Sequence, residues 1–101
     1  MQGVPGSHVD FLNGPVPLAW LMNAAKLPGR SLHVGLVLWY AVGISGSALV
    51  HLSNKLCLRF GLDRNAKYRA LRLLEGAGLI AVRRKRGRSP LVTVLHGSDA
   101  Q

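Results

Sequence analysis

Acidic side chains are scarce in this chain. Four Asp and Glu stand against 13 Lys and Arg over 101 residues, giving a formal charge of +9. So few carboxylates leave no pair for general acid–base work and no spare acid to orient a Ser–His couple, so no enzymatic activity is expected. Cysteine occurs once, at Cys57, which excludes a disulfide framework or a cysteine metal site within one chain and fits a reducing compartment. The four histidines, His8, His33, His51 and His96, share no ligand spacing. Neither a metal nor a cofactor is expected, and no glycine-rich phosphate loop, internal repeat or low-complexity tract is present. The opening MQGVPGSHVDFLNGP lacks the basic start and apolar core of a signal peptide.

Charge of either sign is also missing from one long stretch. Leu32 to Leu52, LHVGLVLWYAVGISGSALVHL, holds no Lys, Arg, Asp or Glu. Its length suits a bilayer-spanning helix, but its punctuation does not. Ser31 is a candidate N-cap for a helix from about Leu32 to Gly43, and Ile44-Ser-Gly-Ser47 reads as its end. Ala48 to Leu52 then reads as a strand. Twelve helical residues reach about 18 Å, well short of a roughly 30 Å hydrocarbon core. A cytoplasmic, nucleoid-associated location is therefore expected rather than a membrane one.

Apolar residues make up 49% of the chain, enough to fold. The expected layout is a flexible lead-in over 1–16, one domain over 17–96 and a tail over 97–101. Pro17 suits the first turn of a short helix over 18–25, and Leu27-Pro-Gly-Arg30 stops it. Beyond the strand, Ser53 is a second N-cap candidate, for a two-turn helix over 54–60. Gly61-Leu-Asp63 is a tight connection, with Asp63 placed to cap the next helix. From Arg64 to Ala77 the helical period is the clearest in the chain. Ala66, Ala70, Leu71, Leu73, Leu74 and Ala77 cover one arc, while Arg64, Asn65, Tyr68, Arg69, Arg72 and Glu75 cover the other. Gly78 ends it. Residues 79–82 and 91–95 are β-rich, and RRKRGRSP between them makes a hairpin with a basic tip. The fold class expected is mainly α with a small antiparallel β-sheet.

Nearly all the net charge lies in this second half. Between Lys55 and Arg88 there are eleven basic residues and two acidic ones, whereas the first 54 residues hold only Lys26, Arg30 and Asp10. Five of the cations fall within Arg83 to Arg88, where they repel one another and gain little without a polyanion.

The order of elements, with FGLDRNAKYRALRLLEGAGLIAVRRKRGRSPLVTVL as its most specific part, resembles the winged helix-turn-helix domains of bacterial transcriptional regulators. The resemblance covers Ser31 to Leu95, roughly two thirds of the chain. It implies sequence-specific binding of double-stranded DNA. The helix from Arg64 would enter the major groove with Arg64, Asn65, Lys67, Tyr68, Arg69 and Arg72. A wing carrying Arg83, Arg84, Lys85, Arg86 and Arg88 would lie on the backbone or in the minor groove. The start of the preceding helix, with Ser53, Asn54 and Lys55, would take a phosphate oxygen.

One position departs from the pattern. Where the family has an apolar or hydroxyl residue, this chain has Lys67, on the buried arc between Ala70 and Leu71. Either it snorkels out at the first turn, or the helix is rotated by some tens of degrees. The uncharged N-terminal helices around Trp20, Trp39 and Tyr40 are the expected homodimer surface, since one small domain reads few bases. No small-molecule effector site is visible. Two other readings share the charge pattern. One is an accessory factor in plasmid or mobile-element replication, partition or excision. The other is a basic interaction module facing acidic proteins or lipid.

Overall fold

The computed structural model describes residues 16–95. Residues 1–15 and 96–101 lie outside it, and with them the expected lead-in, apart from Val16, and the tail. Among the described residues, four helices and one three-stranded antiparallel sheet make an α+β fold: α1 (Leu18–Ala25), α2 (Ser31–Ser45), β1 (Leu49–His51), α3 (Asn54–Arg59), α4 (Arg64–Gly76), β2 (Ile80–Arg83) and β3 (Leu91–Val94).

Local chemistry sets most boundaries. The Ser53 hydroxyl accepts from the Leu56 amide at 3.0 Å and caps α3. The Asp63 carboxylate accepts from the Ala66 amide at 2.7 Å and caps α4. Gly61, with φ +76°, supplies the left-handed residue that lets these helices follow one another so closely. The expected N-cap of α2 is different. Ser31 lies inside the helix, fully buried, and its hydroxyl turns back to donate to the Pro28 carbonyl at 2.9 Å. Arg30 takes the capping position with no side-chain bond. The helix also runs two residues beyond Gly43, and Gly46 in the left-handed conformation ends it.

The sheet order is β1-β3-β2. The β1 strand pairs with β3 as Leu49↔Thr93, Val50↔Val92 and His51↔Leu91. Flanking bonds from Leu52 N to Pro90 O and from Val94 N to Ala48 O carry this pairing across the expected span of 48–52. The period-2 alternation buries Val50, Val92, Val94 and Ile80 on one face. On the other face Leu49, Thr93 and Ala81 form one cross-strand row, and His51, Leu91 and Arg83 the next.

The core sits between that inner sheet face and the helices, with α2 at its centre, packed on α1, α3, α4 and β1. This position explains why α2 is apolar nearly all round. It also corrects the expected subunit surface. Trp20, Trp39 and Tyr40 are only 2%, 4% and 8% exposed, so they are core residues of this chain and are not available to a second copy. The indole of Trp20 donates to the Leu79 carbonyl at 3.0 Å and meets Trp39 edge-on, with centroids 5.7 Å apart. The large apolar side chains that α1 leaves exposed are Leu18 and Met22, one turn apart. Among the described residues no helix is long and apolar enough to cross a membrane.

Candidate nucleic-acid interface

Helix α4 buries Lys67, Ala70, Leu71 and Leu74, an i, i+3, i+4, i+7 set. That leaves Arg64, Asn65, Arg69 and Arg72 exposed, with Tyr68 half-buried at the edge. Asn65, Tyr68, Arg69 and Arg72 surround a shallow recess of about 280 Å³. Side chains that can donate to base edges thus share one convex helix face with a concavity between them.

Lys67 holds a core position, with the residue 1% exposed. The helix is not rotated and the side chain does not snorkel. Instead the ammonium donates to Asn54 Oδ1 at 2.9 Å and lies 4.9 Å from the Tyr68 ring centroid. Of the six helix residues expected at a DNA surface, this one presents no charge there; it braces Asn54 and Tyr68. The three residues at the start of α3 also divide. Ser53 is the cap, the carboxamide oxygen of Asn54 holds Lys67, and the exposed Lys55 alone offers a charge.

Burial pushes the Lys67 ammonium below the usual lysine range; Cys57 draws it back and Arg64 pushes it further down. Burial also raises the Cys57 thiol, which Lys67 partly offsets. The two groups act oppositely on stability. In the window just below the ordinary lysine value of 10.5 the unfolded chain holds a proton that folded Lys67 has given up, so this term stabilises as pH rises. Above 9.0 folded Cys57 keeps a proton that the unfolded chain loses, so that term destabilises as pH rises. Lys67→Met removes the first term and the cost of burying an ammonium. It is expected to add about 1 kcal/mol or more at pH 7, leaving only the alkaline fall, as read by urea unfolding between pH 7 and 10.

The hairpin loop presents the second group of cations. Arg83 ends β2, and Arg84, Lys85, Arg86 and Arg88 come after it, all exposed. Arg88 N donates to Lys85 O at 3.1 Å across a turn whose third residue, Gly87, has φ +76°. The buried Pro90 fixes the return into β3. Arg84 reaches back to Glu75 of α4 at 3.4 Å, which joins the loop to the helix. Exposed as it is, this pair contributes little stability. Both acids among the described residues are therefore engaged, Asp63 at a helix cap and Glu75 with Arg84.

The histidines within the described residues do not converge. His33 donates to the Phe60 carbonyl, and His51 lies on the outer sheet face. Among the described residues no group of His, Cys, Asp and Glu could hold a metal ion. The chain matches no family model, no curated protein and no solved structure.

Proposed function

We propose that this chain is a winged helix-turn-helix protein that binds double-stranded DNA by sequence and regulates transcription. In this reading α4 enters the major groove and the β2–β3 loop is the wing, on the backbone or in the minor groove. The observation that carries it is the exposed arc of α4, joined through Arg84 and Glu75 to a hairpin whose strand end and loop carry five cations, with no acid left free on that side among the described residues. A surface with that charge and a helix that fits the groove suits a duplex better than an acidic protein. The motif resemblance of Phe60 to Leu95 supports the assignment to transcription.

A homodimer remains part of the proposal, through the outer face of α1 rather than the tryptophans. Leu18 and Met22 are 69% and 52% exposed on a helix without a charged residue. Two such copies, related by a two-fold axis, would read half-sites about 34 Å apart.

The division of labour is testable with a duplex selected from a random pool. Asn65→Ala should relax base preference at one position per half-site, at a cost of roughly 1–3 kcal/mol on the preferred duplex only. Arg86→Ala should weaken preferred and scrambled duplexes alike. Equal relaxation of preference by both variants contradicts the assignment.

A further inference from the structure

A cleft of about 440 Å³ separates α4 from the segment that leads into α2. One wall is Pro28-Gly29-Arg30; the other is the flank of α4, where Ala66 and Ala70 are too small to fill the gap. Arg30 and Arg69 line it from opposite walls. Both are exposed, and neither has an ion-pair partner among the described residues. The one acid in the lining, Asp63, lies six residues before Arg69, about 9 Å along the helix, with one oxygen already bonded to the Ala66 amide.

Two unpaired guanidiniums lining one cleft from opposite walls repel each other until an anion sits between them. Arg69 also borders the recess with Asn65 and Arg72, so the cleft adjoins the base-reading face. From these observations, and resting on the DNA reading above, we infer that the Arg30–Arg69 cleft holds a backbone phosphate of the duplex. Each guanidinium can offer a forked pair of donors to a phosphodiester, and the space left beside Ala66 and Ala70 accommodates the adjoining sugar. Arg69 then grips the backbone and does not read a base. The clamp flanks α4 beside its N-terminal half, while the wing, tied to Glu75, flanks its other end. The 13 residues of α4 extend about 20 Å. The helix is thereby held to both backbone walls of one groove.

Anisotropy titrations of a labelled duplex at 50 to 200 mM salt test this. Arg30→Gln and Arg69→Gln should each lower the slope of log K against log salt by about 0.9, one phosphate's worth. Each loss of affinity should therefore shrink about three- to fourfold across that salt range. It should be the same for preferred and scrambled duplexes. Because both residues hold one phosphate, the double variant should lose no more slope than either single one, and Arg30→Lys should keep the wild-type slope. An unchanged slope for Arg30→Gln in a chain that still binds duplex overturns the clamp alone, as does a loss confined to the preferred sequence. Failure of the unaltered chain to bind any duplex at 50 mM salt overturns the DNA reading and the clamp together.

Discussion

Replacing Arg83, Lys85, Arg86 and Arg88 with glutamine is expected to lower duplex affinity on the order of a thousandfold at 0.1 M salt, while leaving the fold intact. The size comes from counterion release. Six to eight phosphate contacts by the whole surface correspond to a slope of log K against log salt of about −5 to −7. Removing four contacts takes away roughly 3.6 of that slope, an effect that grows as salt is lowered. The fold should survive because all four side chains are exposed and none carries a core contact. The turn that shapes the loop depends on Gly87 and on the backbone bond between residues 85 and 88, both retained. Arg84 is left in place because it also holds Glu75. Circular dichroism and anisotropy on the same preparation separate binding from folding. A fall of less than tenfold would mean that the loop does not lie along the backbone.

The second large effect concerns the core. Gly35→Ala in α2 should destabilise the chain by about 2 kcal/mol, although alanine is ordinarily the better helix former by about 1 kcal/mol. A Cβ at this position would stand 2.8 Å from Cζ3 and 3.0 Å from Cη2 of Trp20. The indole cannot simply move aside: its nitrogen is bonded to Leu79 O and it packs T-shaped against Trp39. The clash therefore has to be relieved by shifting α1 against α2. For a domain of this size that corresponds to a fall in Tm of roughly 10 °C, measurable by thermal denaturation. Gly35→Val should be worse, since overpacking costs grow with volume. A Tm equal to or above that of the unaltered chain would contradict the packing described for α1.

These two outcomes mark where sequence reasoning succeeds and where it runs out. The helix pair around Gly61 is legible in the sequence because each boundary is local: Ser53 and Asp63 cap through their own side chains, and the glycine turn is set by the backbone. The hairpin and the exposed arc of α4 are readable for the same reason, since periodicity assigns faces without knowledge of the neighbours. Ser31 misleads because serine satisfies a cap and a buried turn equally well, and only the position of the Pro28 carbonyl decides between them. The tryptophans mislead because apolar composition reports that a residue must be covered but not by which chain. The Gly35–Trp20 approach and the Arg30–Arg69 cleft join residues 15 and 39 positions apart, which no local pattern connects. Lys67 is correctly placed on the buried arc by its spacing. That it stays there depends on an acceptor, Asn54, in another helix.

The proposed binding of duplex DNA by sequence, through the exposed arc of α4 and the wing, is open to a direct test. Selection of bound molecules from a random duplex pool, repeated at 50 and 200 mM salt, tests it most directly. Retention at 50 mM is expected, with a steep decline by 200 mM and enrichment of a motif repeated with two-fold symmetry at one helical turn. No retention of duplex at 50 mM salt would contradict it.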